Sequence, residues 1–196
     1  MNYLAHLFLA GSDEGLIIGN FIADSIRGKE MLLYSEKIQN GIKLHRKIDQ
    51  FTDSHPVVKQ TNSRLRNSAA KYAPVVTDIV YDHFLAANWS KYSSVPLNDF
   101  ARLKYEFLSA HIMDLPIKMH ELFYVMVEQN WLVNYSDLKG IARTLSELSA
   151  KVKFSNTMAT SILDLEKDYE SFQSDFFNFF PDIQEFVRKE ILIFSL

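Results

Sequence analysis

The sequence contains no cysteine. Disulfides and thiol catalysis are therefore excluded, and any metal site must draw on His, Asp and Glu. Such nitrogen and oxygen donors suit Mn, Mg, Fe or Zn better than they suit soft metals. Proline and glycine are scarce, five and six in 196 residues, and no internal repeat or low-complexity segment stands out. No run of about 18 apolar residues occurs, which argues against a membrane-spanning helix. The apolar start "MNYLAHLFLAGSDEG" has no basic stretch and is interrupted by His6, unlike a secretory signal. The cytoplasm is the expected compartment. Positive charge is not in excess either, and a net charge of −3 excludes a strongly basic nucleic-acid binder.

What is present is ordinary for a folded protein. Hydrophobic residues make up 47% and charged residues 23%, a balance that argues against disorder. Fifteen Phe and nine Tyr favour a bulky core. The length fits one domain with a real interior. Hydrophobic residues recur every three or four positions nearly throughout, and strand-like alternation is scarce. We therefore expect one all-α domain over residues 1–196, with about eight to ten helices.

Local signals divide the chain. "NYLAHLFLA" reads as a short helix and "GLIIGNFIADSIRG" as a second, with Gly28 as its C-terminal cap. A third covers residues 34–53. It must end near Asp53 or Ser54, because Pro56 disfavours helix at His55 and is itself suited to open the next one. "VVKQTNSRLRNSAAKY" follows, and then a helix from Pro74 through "DIVYDHFLAANW". "SSVPLNDF" is a loop leading into another helix, and Pro116 starts the next, through "NWLVNY". Ser136 is the expected N-cap of "SDLKGIARTLSELSAKV". Residues 157–179 are expected to be helical, with Pro181 opening a last short helix.

Chemistry concentrates in the first half. In "GIKLHRKIDQFTDSHP", residues His45, Asp49 and Asp53 step by four, which stacks them on one helix face. With Thr52 they fall within about 100° on a helical wheel, beside the apolar sector of Leu44, Ile48 and Phe51. The stripe is either a solvated face or the wall of a metal cleft, and spacing leaves both open. "DIVYDHFLAANW" carries Asp78 and the doublet Asp82–His83 on a segment apolar enough to be buried. A buried Asp–His pair is costly unless it is hydrogen-bonded or ligated. Asp24 sits on an apolar stretch one turn after Asn20, and His6 lies in the apolar "LAHLFLA". No Gly-x-Ser-x-Gly, P-loop or His-Glu-x-x-His pattern appears. Metal-assisted hydrolysis is the chemistry best matched, since a bound cation lowers the pKa of water and offsets phosphate charge.

Charge is uneven. Up to Tyr72, Lys and Arg outnumber Asp and Glu by ten to seven, and from Ala73 acids outnumber bases by seventeen to eleven. The basic excess is either scattered solubilising charge or a face for an acidic partner.

The blocks "MNYLAHLFLA", "GNFIADSIRG", "GIKLHRKIDQFTDSHPVV" and "DIVYDHFLAANW" resemble, in order, the signature blocks of acyl carrier protein phosphodiesterases. The resemblance is specific over roughly the first 90 residues and general beyond them. It implies an all-α fold related to the HD phosphohydrolases and a divalent metal, usually Mn²⁺. It implies hydrolysis of 4′-phosphopantetheine from holo acyl carrier protein, an acidic partner. The HD order is reversed here, as Asp82–His83, so ligands do not transfer by motif order. On this resemblance the metal is expected at His45, Asp82 and His83, with Asp24 as a further carboxylate. Arg46 is the expected phosphate clamp, and Asp49 and His55 are further catalytic candidates. His6, Asn20, Asp53 and Asp78 are supporting candidates. Arg27, Lys29, Lys43 and Lys47 are expected to face the carrier. Two alternatives are a hydrolase of nucleotides or other small phosphoesters and a helical binding protein without turnover.

Overall fold

The computed structural model describes residues 1–194. Among them there are twelve α-helices and no strand, and ten of the helices have seven or more residues. In chain order these are α1 (Tyr3–Leu9), α2 (Glu14–Ile22), α3 (Glu36–Ser54), α4 (Pro56–Arg64), α5 (Arg66–Ala69) and α6 (Ala73–Ala87). Then follow α7 (Leu97–Ala110), α8 (Ile117–Glu128), α9 (Trp131–Asn134), α10 (Leu138–Lys151), α11 (Ser161–Lys167) and α12 (Tyr169–Phe194). No helix among the described residues is long and apolar enough to cross a membrane.

The all-α expectation holds, and α3 begins and ends where the sequence signals place it. Ser35 caps its first turn, and His55, extended before Pro56, stops it. Several boundaries differ. The helix expected to run to Gly28 stops at Ile22. A 3₁₀ turn (Ala23–Ser25) and a second 3₁₀ segment (Gly28–Leu33) carry the chain on, with Ile26 and Arg27 extended between them. Gly28 does adopt a left-handed φ of 48°, but it starts a turn there instead of capping a helix. The segment after Pro56 breaks at Leu65, and Asn130, also left-handed, separates α8 from α9. Asp137, not Ser136, caps α10, its carboxylate accepting from the Lys139 amide.

Pro181 lies inside α12 and does not open a helix of its own. A proline within a helix costs about 3 kcal/mol. Phe172, Phe176, Phe179, Phe180, Ile183 and Val187 line one buried stripe on both sides of it. Each buried side chain of that size stabilises by about 1.5–3 kcal/mol, so the continuous helix prevails.

One contiguous hydrophobic core runs through the molecule, from Leu4 and Leu7 on α1 to the phenylalanines of α12. Against it, α2 and α3 pack unusually closely. A Cβ at Gly19 would lie 2.2 Å from the Ile38 carbonyl oxygen, and one at Gly41 would lie 2.7 Å from the Gly15 oxygen. Only glycine allows these backbones to approach so closely. The approach sets Asn20 of α2 directly against His45 of α3. Helix α1 has seven residues, too few to persist alone. Asp82 of α6 holds its start: Oδ1 accepts from the Asn2 and Ala5 amides at 3.2 Å each, and Oδ2 accepts from the Leu4 amide at 2.8 Å.

Candidate metal centre

Three helices and one turn converge on a small polar cluster. Helix α1 supplies His6, α2 supplies Asn20, α3 supplies His45 and Asp49, and the 3₁₀ turn after α2 supplies Asp24. His45 and Asp49 are one helical turn apart, as their spacing predicts. The two imidazoles stack with centroids 3.9 Å apart and planes 17° from parallel. Both are buried, whereas the Asp24 side chain is 76% exposed and Asp49 half-buried.

Asn20 orients both rings. His45 Nδ1 donates to the Asn20 backbone oxygen at 2.9 Å, and His6 Nδ1 bonds the Asn20 Oδ1 at 2.8 Å. A carbonyl oxygen can only accept, so each Nδ1 donates its proton there and each ring turns its Nε2 the other way. Both Nε2 atoms face carboxylates. His6 Nε2 is 3.1 Å from Asp49 Oδ1, and His45 Nε2 is 3.0 Å from Asp49 Oδ2 and 3.1 Å from Asp24 Oδ1.

Titration behaviour follows. Burial and the neighbouring His45 push His6 down to about 4, despite its bond to Asp49. Burial also opposes charge on His45, but hydrogen bonds and charge from Asp24 and Asp49 overcome it and lift His45 to about 9. Asp49 is desolvated, yet its bonds to His45 and His6 hold it well below the usual carboxylate range. Asp24 is held low by its bond to His45. The Nε2 atoms of both rings and the Asp49 carboxylate thus meet at one point, where nitrogen and oxygen donors suited to a divalent cation are gathered.

One donor atom from each of His6, His45 and Asp49 can be chosen so that all three lie within 4.8 Å of one another. This His–His–Asp group could hold a metal ion, and Asp24 touches it at His45 while standing outside the group. The donor chemistry fits a divalent first-row metal.

Other expected site residues lie outside this group. His83 is engaged on both nitrogens, with Nδ1 donating to the Tyr135 oxygen at 2.8 Å and Nε2 2.9 Å from the Tyr169 hydroxyl. Asp82 is committed to the amides of α1; burial pushes it up to about 7, opposed by the Met1 ammonium and those same amides. The structure therefore does not bring the Asp82–His83 doublet together with His45. Asp78 bonds the Met1 ammonium at 2.8 Å, and the same ammonium is 3.7 Å from Asp49 Oδ1. His55 caps α4 and contacts Asp182 at 3.2 Å. It lies ten residues along α3 from His45, about 15 Å by helix geometry. Asp53 is exposed beside it. Arg46 donates to the Ile26 oxygen at 3.1 Å, tying down the segment that carries Asp24 without touching the cluster. Arg27, Lys29 and Lys43 are exposed, whereas Lys47 pairs with Glu190.

A family model described as acyl carrier protein phosphodiesterase matches residues 1–183. The chain belongs to this family. The acyl carrier protein phosphodiesterase of Photorhabdus laumondii is 36% identical over 189 residues, covering 94% of each chain. Its counterpart from Escherichia coli is 31% identical over 193 residues, 98% of this chain and 100% of the relative. That of Pectobacterium atrosepticum is 30% identical over the same span. No solved structure matches significantly. Every residue of the cluster lies within the stretch that the family model covers.

Two features of the centre were not evident from residue types. His6, in an apolar helix, looks like a core histidine until α1 is set against α3. The glycines that let α2 meet α3 carry no chemical signal, although Gly15, Gly19 and Gly41 stand four residues apart or one turn from a site residue.

Proposed function

We propose that the chain is a metal-dependent phosphodiesterase that hydrolyses the bond between 4′-phosphopantetheine and the serine of holo acyl carrier protein, releasing the apo carrier. The observation that carries this is the convergence of two oriented Nε2 atoms on the Asp49 carboxylate, in a chain of this family. His6, His45 and Asp49 would hold the cation, with Asp24 as a fourth donor or as the group beside it. Mn²⁺ is the metal we assign, on the family resemblance. When bound, the cation supplies Lewis acidity, making water more acidic and offsetting charge on the phosphate.

The chain's own residues supply the rest. Asn20 fixes both imidazoles by their Nδ1 protons, so neither ring turns away when substrate arrives. Asp24 is ionised and exposed, and can take a proton from water at a carboxylate oxygen. Arg46 holds the turn that carries Asp24 through the Ile26 oxygen, and we give it this positioning part instead of direct phosphate contact. Asp82 sets His6 in place through α1. Arg27 and Lys29, just after the same turn, and Lys43 on α3 offer exposed positive charge and would steer an acidic carrier. The cytoplasm is the compartment that goes with this reaction.

Intact-mass measurement of holo carrier protein incubated with the chain and Mn²⁺ tests the proposal. Loss of the prosthetic group is expected. An unchanged holo mass with metal bound would defeat it, and rapid turnover of small phosphoesters without carrier would favour a small-ester hydrolase.

A further inference from the structure

Beside the cluster lies a cavity of about 450 Å³. Asp24 stands in its wall and is bonded to His45, and Met1, also in the wall, has its ammonium against Asp78 and near Asp49. The cavity therefore adjoins the candidate metal centre through Asp24 and Met1, although His6, His45 and Asp49 do not line it. Its volume is within the range of small-molecule sites.

The wall is chiefly apolar. Tyr3 and Trp131 lie with ring centroids 6.5 Å apart and planes tilted by 50°, and Ile79, Leu122 and Leu148 add to the surface. Polar groups are few, Thr144 and Asn2 among them. Of the charged groups at the wall, Asp24, Asp78 and Glu147 are acidic, against Lys151 and the Met1 ammonium, which is paired with Asp78. A strongly anionic body such as a nucleotide polyphosphate is poorly matched to such a wall. A neutral, flexible chain with an apolar middle and occasional amides is well matched, because apolar surface supplies the affinity and isolated hydroxyls and amides give register.

We propose that this cavity holds the pantetheine arm of the carrier, with the arm's phosphate end at Asp24 and His45. This rests on the phosphodiesterase reading above and assigns its substrate-positioning residues. The carrier body then stays outside, on the side of the exposed turn Gly28–Leu33, while the arm threads inward past Asp24. Thr144 and Leu148 on α10, Trp131 on α9 and Ile79 on α6 become determinants of arm recognition, far apart in sequence from the metal group.

The probe is free pantetheine, which lacks the phosphate and the carrier. Wild type is expected to bind it by calorimetry and to change its tryptophan fluorescence. The fluorescence change should vanish in Trp131→Phe and persist in Trp89→Phe, since Trp89 packs against Phe8 and Phe100 away from the cavity. Thr144→Phe fills the cavity, and Val75→Phe narrows its rim, where the side chain is exposed and a folded variant is assured a fair trial. Each should weaken pantetheine binding and raise KM for holo carrier by at least about tenfold, with circular dichroism unchanged. Wild-type affinity for pantetheine in both folded variants would overturn the assignment. So would hydrolysis of holo carrier by a wild-type chain that does not bind pantetheine. Pantetheine binding at Trp131 without hydrolysis of holo carrier would uphold the cavity's ligand and defeat the phosphodiesterase reading instead.

Discussion

Gly19→Ala adds one methyl group to the seam between α2 and α3 and changes no polar side chain. That Cβ would fall 2.2 Å from the Ile38 oxygen, 2.6 Å from Gly41 Cα and 2.7 Å from the Ile42 nitrogen. All three are backbone atoms, so no side chain can swing aside. Restoring ordinary contact requires the helices to part by about 1 Å. The His45 Nδ1 to Asn20 oxygen bond, 2.9 Å long, spans this seam one residue away and would be lost. Overpacking costs about 1–3 kcal/mol, and a buried hydrogen bond left unmade costs about 1–3 kcal/mol more. Alanine's better helix propensity returns about 1 kcal/mol. A net destabilisation of roughly 1–5 kcal/mol is expected, or a fall in Tm of roughly 2–20 °C for a chain of this size. Urea unfolding measures the first, thermal circular dichroism the second, and metal content should fall with them. A variant within about 0.5 kcal/mol of wild type, with full metal content, would refute the role given to this seam.

Four further outcomes concern the cluster and the charged surface beside it. His45, lifted to about 9, carries a proton at neutral pH that a cation must displace. Metal uptake at pH 7 should release about one proton, read by calorimetry in buffers of different ionisation enthalpy, and affinity should rise with pH up to about 9. In metal-free protein the same raised pKa stabilises the fold fully below the ordinary histidine value of about 6.5, and that stability is lost as pH climbs through about 9. Asn20→Ala removes the side-chain oxygen that orients His6 and should weaken metal binding by about 10- to 100-fold, measured by competition with a chelator. Arg27→Glu with Lys29→Glu should raise KM for holo carrier and flatten its salt dependence while leaving metal content unchanged, since both side chains are exposed.

Much of this was legible in the residues. Helical periodicity announced the fold, and His55 and Pro56 bounded the end of α3 correctly because proline sterics act on the adjacent residue. The pairing of His45 with Asp49 followed from four-residue spacing. What escaped was decided by packing between distant segments. Pro181 interrupts no helix because a phenylalanine stripe on both sides outweighs its local cost. His6 joins His45 only because Asp82 anchors α1 and glycines admit α2. The Asp82–His83 doublet shows the converse. Adjacent residues on a helix point about 100° apart, so Asp82 turns to the amides of α1 while His83 turns to Tyr135 and Tyr169.

The three-residue metal centre is the claim on which the proposed chemistry depends. Elemental analysis of purified wild type, His6→Ala, His45→Ala and His83→Ala, each checked for folding, tests it most directly. The centre predicts about one divalent metal per wild-type chain, lost in His6→Ala and His45→Ala and kept in His83→Ala. Metal kept in folded His6→Ala and lost in His83→Ala would contradict it.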